Sequence, residues 1–195
     1  MASTIEKIKQ LREETAAGMM DVKRALEESE GDLEGARRVL RERGQAIAQK
    51  KSSRETHEGL IEAYIHFNGR VGVLVEVNCE TDFVARTPEF KEFARNVALH
   101  VASMDPLAIS ENDIPREAIN EERSIAKKQA QQSGKPENIQ AKIVEGRVDK
   151  FLKERTLLTQ PYVKEPDKSV ADLLQDTIQK VGENVVIRRF VRYGL

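Results

Sequence analysis

The sequence has no tryptophan, one cysteine (Cys79) and three histidines in 195 residues. A single cysteine excludes an internal disulfide framework, and no Cys or Cys/His cluster stands at zinc-ligand spacing, so a reducing compartment is expected. His57, His66 and His100 are scattered, and G-x-S-x-G, H-E-x-x-H and C-x-x-C are all missing, which argues against a hydrolytic or metal active site. There is also no Walker loop and no glycine-rich dinucleotide turn, so no cofactor is expected and any nucleotide effect must act through a partner. The run Met1-Ala2-Ser3-Thr4-Ile5-Glu6-Lys7 lacks an apolar signal core, and no stretch approaches the ~20 apolar residues of a membrane span. A cytoplasmic, non-enzymatic protein without a membrane partner is the expectation. Net charge is −1, so a global positive field for nucleic acid is missing too.

What is present is an ordered, periodic chain with 39% apolar and 33% charged residues, enough to bury a core. Ile5, Ile8 and Leu11 predict a first short helix with Thr4 as cap. Asp21 is expected to cap a second helix carrying Val22, Ala25 and Leu26, which Ser29-Glu30-Gly31 ends. Asp32 caps a third, with Leu33, Ala36, Val39 and Leu40 on one stripe and Gly44 as its stop. Three short helices at 1–45 make a small bundle, marginal alone and suited to docking. Residues 46–58 read as a linker, with a frayed helical extension as the alternative.

From Gly59 the period becomes two. Ile61, Ala63, Ile65 and Phe67 form one apolar row, and Val71, Val73, Val75 and Val77 form the next, with Asn68-Gly69 at the turn. A two-residue turn would set the rows on opposite faces; a three-residue loop through Arg70 pairs Phe67 with Val71 and aligns them, and the aligned register is expected. Thr87-Pro88 starts a helix with the stripe Phe90, Phe93, Ala94, Val97, Ala98, Val101. Pro115 opens another, and after Gly134-Lys135-Pro136 a third carries Ile139, Ile143, Val144, Val148, Phe151 and Leu152, the two forming a helical hairpin. Val170, Leu173, Leu174, Ile178 and Val181 predict a helix stopped at Gly182, and 184–193 a closing strand. The fold class is therefore α+β: a three-helix bundle, then a 59–195 core with an antiparallel sheet and helices.

Two features stand out as candidate interaction sites. The basic run Arg37, Arg38, Arg41, Arg43, Lys50, Lys51, Arg54 could meet RNA phosphates, but no aromatic is interleaved for stacking, and a solvated helix face is the favoured reading. Cys79-Glu80-Thr81-Asp82-Phe83-Val84-Ala85-Arg86 is a junction between strand and helix with an aromatic directly after a carboxylate. Phe83 either tucks under the helix or reaches for a partner, and spacing alone favours burial of Phe83 and Val84.

Four ordered segments resemble translation elongation factor Ts along nearly the whole chain. They are 11–26 (LREETAAGMMDVKRAL), 76–85 (EVNCETDFVA), 157–164 (LLTQPYVK) and 181–190 (VGENVVIRRF). The resemblance implies a ubiquitin-associated-like domain at 1–45 and, as partner, GDP-bound elongation factor Tu, for which this family supplies guanine-nucleotide exchange. It implies that Thr81, Asp82, Phe83 and Val84 intrude into the GTPase and disturb its magnesium site, and that Met19, Met20 and Asp21 help dock the bundle. Ala17 stands where the family often has glycine, and Val22 replaces a frequent cysteine. The Gly182-Glu183-Asn184 element occurs once, as in short members that pair as homodimers, and 184–193 is the strand expected to pair across the two-fold axis. Rival readings are a ubiquitin-like or helical partner for the bundle, and an RNA accessory role for 37–54.

Overall fold

The computed structural model of the protein describes residues 3–15 and 17–195; Met1 and Ala2 of the N-terminal run and Ala16 of the first motif lie outside them. Ser3, not Thr4, caps the first helix: its hydroxyl accepts from the Glu6 amide (3.3 Å) while the Glu6 carboxylate takes the Ser3 amide (2.7 Å). Helix α1 spans Thr4–Thr15, α2 Met19–Glu28 and α3 Leu33–Lys51. Asp21 does not cap α2. That helix begins two residues earlier, with Gly18 at the cap position and no side-chain bond, which leaves Asp21 in the first turn. Asp32 caps α3 as expected, its carboxylate accepting from the Gly35 amide at 2.8 Å.

The bundle core is Leu11, Ala17, Val22, Ala25, Leu26, Ala36 and Leu40, with Ile8, Leu33 and Val39 at its margin. Gly44 is not the stop of α3. The helix runs on for seven residues beyond it, and a Cβ at Gly44 would stand 3.3 Å from Oε1 of Gln179, so the glycine serves close packing within the helix. Arg41 reaches Asp172 with Nη2–Oδ1 at 2.8 Å. Only 52–57 therefore separate α3 from the first strand.

Strand β1 covers Glu58–Ile65, β2 Val71–Cys79 and β5 Val185–Gly194, in a sheet of order β1-β2-β5. The Leu195 amide bonds Arg70 O, and Arg189 pairs with Glu76, so β5 runs antiparallel to β2. The hairpin register differs from expectation. The His66 amide donates to Val71 O (2.9 Å), making 67–70 a four-residue loop. The Gly69 amide closes it onto His66 O (2.8 Å) with Gly69 at φ +68°, and Asn68 Oδ1 accepts from the Arg70 amide. Pairing 66 with 71 continues the register of a two-residue turn, so the two apolar rows fall on opposite faces. Val73, Val75, Val77 and Cys79 are buried, whereas Ile61 and Ile65 are two-thirds exposed and Phe67 almost wholly so.

The short helix α4 (Asp82–Ala85) precedes α5 (Pro88–Met104), whose predicted stripe from Phe90 to Val101 is buried throughout. Thr87 begins α5 as read from sequence, its hydroxyl accepting from the Phe90 amide at 3.3 Å. Helices α6 (Arg116–Gln132) and α7 (Glu137–Arg155) form the expected hairpin around Ala126, Ala130 and Val144, tied by Arg123–Glu145 and Arg147–Gln129. A second small antiparallel pair, β3 (Pro161–Tyr162) and β4 (Glu165–Ser169), was not anticipated. Helix α8 spans Val170–Val181 and ends at Gly182 in the left-handed region, φ +78°. The described chain is α+β, and none of its helices is long and apolar enough to cross a membrane.

The described residues separate into two compact units. One comprises residues up to Tyr64, Leu74–Ala98 and Asp172–Val191; the other comprises Ile65–Val73, Leu99–Ala171 and Arg192–Leu195.

In the second unit the 157–164 motif builds a buried polar knot. His100 is fully buried; its Nδ1 accepts from the Val163 amide (3.2 Å), which leaves Nε2–H to donate to Gln160 Oε1 (2.9 Å). Gln160 passes its own Nε2–H to Glu154 O at 2.6 Å. Burial lowers the His100 pKa below the ordinary 6.5, only partly opposed by the Gln160 bond. A depressed imidazole favours the fold above 6.5, and that stability is lost as pH falls from there through the folded value. The wild-type melting temperature should accordingly drop more between about pH 7.5 and pH 5.5 than that of His100→Gln. The variant should be less stable at neutral pH by about 1–3 kcal/mol, having disturbed two buried hydrogen bonds. Equal pH slopes in differential scanning calorimetry would contradict this.

Candidate functional site

The junction after β2 is a capped helical turn, not an open loop. Thr81 stands at the N-cap of α4 with its hydroxyl accepting from the Val84 amide (3.4 Å), and the Ala85 amide returns to Thr81 O (3.3 Å). The Thr87 amide and hydroxyl both close on Val84 O, at 3.0 and 2.8 Å, before α5 starts. Chain direction is thus reset within a few residues, and the side chains of the turn are sorted by burial. Val84 points into the protein at 9% exposure, while Phe83 next to it is 77% exposed. The burial that spacing alone favoured holds for Val84 and fails for Phe83. A one-turn helix has a single inward direction, so two successive apolar residues cannot share it.

Two carboxylates tie this turn to the segment that follows α8. Glu183 Oε2 accepts from the Glu80 amide (3.1 Å) and the Thr81 amide (3.0 Å), and its Oε1 takes the Thr81 hydroxyl at 2.7 Å. Glu80 answers by accepting the Asn184 amide (2.6 Å), with Arg54 alongside at 3.4 Å. Asn184 is buried and donates from Nδ2 to Arg54 O at 2.8 Å. The 76–85 and 181–190 motifs, a hundred residues apart in sequence, are therefore halves of one structure. Gly182 makes this possible, because its left-handed backbone turns the chain from α8 so that Glu183 faces Thr81.

Asp82 lies at the surface in the first turn of α4 and forms an ion pair with Arg86, Oδ2–Nη2 2.6 Å. The pair is exposed and weakly held, which leaves the carboxylate available to another partner. Cys79 is fully buried, with Sγ donating to Thr81 O at 3.2 Å. Its pKa is pushed up to about 11, first by burial and then by the negative charge of Glu183.

Met19 and Met20 sit at the N-terminus of α2, 57% and 59% exposed, and Asp21 is half-buried beside them. Met19 borders a shallow groove lined also by Ile5, Ile8, Lys9, Arg12 and Glu13. Neither methionine packs in the bundle core. In the basic run, Arg37 pairs with Glu14 and Glu34, Arg41 with Asp172, Arg43 with Glu28, and Arg54 with Glu80. Much of that charge is neutralised locally. No group of three or more His, Cys, Asp or Glu side chains suited to a metal occurs among the described residues.

Comparison with known proteins agrees with the sequence motifs. A family model described as Elongation factor TS matches residues 3–177. Elongation factor Ts of Rubrobacter xylanophilus is 73% identical over 195 residues, covering 100% of both chains. Elongation factor Ts of Carboxydothermus hydrogenoformans is 55% identical over 192 residues, 98% of this chain and 88% of that one. The Thermoanaerobacter sp. protein of the same name is 55% identical over 186 residues, 95% and 91% of the two chains.

The state of Cys79 gives a direct check on the turn. With its thiol buried and its pKa about 11, Cys79 should resist iodoacetamide and Ellman's reagent at neutral pH in the native protein and react fully in denaturant. Native-state labelling as fast as that of a free thiol would show that the turn is open in solution.

Proposed function

The chain belongs to the elongation factor Ts family, and from that premise we propose that it is the guanine-nucleotide exchange factor for elongation factor Tu in translation elongation. It binds the GDP complex, disturbs the magnesium site and lets GDP leave so that GTP can bind. It does this as a binding protein, not an enzyme, in the cytoplasm. The observation that carries the reading is the exposure of Phe83 on a turn whose backbone is pinned at Thr81 and Val84. A large aromatic left in water contributes nothing to the fold; entering an apolar cleft of a partner, it gains the burial it lacks here.

Phe83 acts as the wedge, Val84 anchors the turn from beneath, and Thr81 caps it. Asp82 exchanges Arg86 for a group of the partner and holds the opened geometry. Magnesium bridges protein and phosphate oxygens, so displacing its ligands removes charge neutralisation on which GDP affinity depends. The rest is linkage: the factor's preference for the open GTPase equals the loss in GDP affinity.

Residues 1–45, with the extension of α3 to Lys51, form a ubiquitin-associated-like docking domain whose Met19, Met20 and Asp21 meet the same partner; within the 46–58 segment read as a linker only 52–57 connect it to the core that follows. Exposed, polarizable methionines suit an adaptable contact. The ion pairs that occupy Arg37, Arg41, Arg43 and Arg54 favour a protein partner over RNA.

The core also pairs as a homodimer. Leu74 and Val191 are exposed on the outer sheet face that carries the Glu76–Arg189 pair, and Ile61 is exposed on β1. Covering these residues with a second copy, with the edge strand β5 at the two-fold axis, hides apolar surface and an unpaired edge.

Release of a fluorescent GDP analogue from elongation factor Tu tests the exchange reading. The wild type should accelerate it strongly, and Phe83→Ala and Asp82→Ala should each lose about tenfold or more while remaining folded by circular dichroism. A folded wild type without effect would sink the reading. Light scattering should give about twice the chain mass for the wild type and the monomer mass for Leu74→Glu. A wild type that stays monomeric at high concentration would remove the dimer.

A further inference from the structure

The exchange reading uses Thr81–Val84 and Arg86 at this turn and leaves Glu183 without a task. Its carboxylate is nevertheless the acceptor for three donors at the root of the turn: two consecutive backbone amides and the Thr81 hydroxyl. The same hydroxyl caps α4 by accepting from Val84. Orientation therefore passes from Glu183 through Thr81 to the backbone of Asp82, Phe83 and Val84. The bonds that open the turn run through Thr81, which takes the Val84 and Ala85 amides, while the Arg86 amide on Phe83 O (3.3 Å) and Thr87 on Val84 O close its far end.

We propose that Glu183 is the positioning residue of the exchange site, holding the Thr81–Val84 turn in its binding-competent form before the partner arrives. The proposal rests on the exchange reading. A preorganised aromatic gives up less conformational freedom on binding, and that difference appears wherever the wedge must be inserted, in the opening of the nucleotide site. Docking through Met19 and Met20 does not depend on Glu183. Loss of the carboxylate should consequently lower the maximal rate of GDP release and leave the factor concentration at half-maximal effect nearly unchanged.

The chemistry also separates substitutions at this position. Glu183→Ala removes the acceptor altogether. In Glu183→Gln the amide oxygen can still take the two backbone N–H groups, and the amide NH2 can face Thr81 Oγ1, which then accepts where it formerly donated. Glutamine should therefore restore most of what alanine loses.

The test measures maximal GDP-analogue release and half-saturation for the wild type, Glu183→Ala, Glu183→Gln, Phe83→Ala and the Glu183→Ala/Phe83→Ala double variant. Amide hydrogen exchange at Thr81 and Val84 is followed in the free protein. Glu183→Ala should lower the maximal rate about tenfold, with half-saturation changed by less than about threefold, and speed exchange of both amides. The double variant should be no slower than Phe83→Ala alone, because Glu183 acts through the turn that Phe83 occupies. An unchanged maximal rate with weakened half-saturation is what loss of folded protein would produce, and it would overturn the proposal; so would additive losses in the double variant. If the wild type leaves release unchanged while Glu183→Ala still frees the Thr81 amide, the exchange reading fails and the exchange role of Glu183 fails with it, although the contact itself stands. If the wild type and Phe83→Ala behave as the exchange reading requires but Glu183→Ala matches the wild type, the positioning role alone is lost.

Discussion

The mutual grip of Glu80 and Glu183 is the constraint from which the arrangement of the candidate site follows. Each carboxylate binds the backbone beside the other residue: Glu183 takes the amides of Glu80 and Thr81, and Glu80 takes the amide of Asn184. Neither acceptor is local in sequence, so the end of β2 and the start of β5 are held together even where ladder hydrogen bonds stop. Charge-assisted bonds of this kind are roughly twice as strong as neutral ones. Two like charges are kept close, and the N–H donors between them, with Arg54 beside Glu80, offset the repulsion. Cys79 registers the same field from below, since Glu183 is second only to burial in raising its pKa.

Much of the fold was legible because its periods are clean. The stripe from Phe90 to Val101 is unbroken and became the most deeply buried face of any helix described, and the Asp32 and Thr87 caps follow from side-chain chemistry alone. The hairpin register was not legible. Ile61, Ala63, Ile65 and Phe67 alternate as cleanly as the valines of β2, and alternation says that a strand has an apolar face without saying that the face is inside. Only the closure of His66 on Val71 and Gly69 decided it. Gly44 misled for a related reason: a glycine near a helix end signals a stop unless a neighbour such as Gln179 needs its space. The pair β3–β4 had no signal, because Glu165-Pro166-Asp167-Lys168-Ser169 contains a proline and has no apolar alternation.

At the candidate site, sequence reading singled out the turn as a candidate and missed what supports it. Thr81, Asp82, Phe83 and Val84 are contiguous and chemically unusual, so a motif identifies them. Glu183 lies a hundred residues away, beside a glycine that reads as an ordinary helix stop. Its part depends on the left-handed turn at Gly182 and on the length of its side chain, and neither is a sequence pattern. The exposure of Phe83 was likewise decided by geometry: one turn of helix offers one inward position, and Val84 occupies it.

That division between an anchored and an exposed apolar residue bears on how, in the proposed exchange role, binding alone shifts a partner's nucleotide affinity. A wedge on a mobile loop would lose ordering entropy on every encounter, about 1–2 kcal/mol for each residue fixed. Such a loss subtracts directly from the differential binding that opens the partner. Here the ordering is done during folding, by Val84 in the protein interior, Thr81 at the cap and Glu183 behind it. The exposed ring of Phe83 is then unfavourable in water, and in the proposed role binding relieves it. In this reading the strength of exchange depends less on Phe83 itself than on how firmly the rest of the turn prevents it from finding shelter within its own chain.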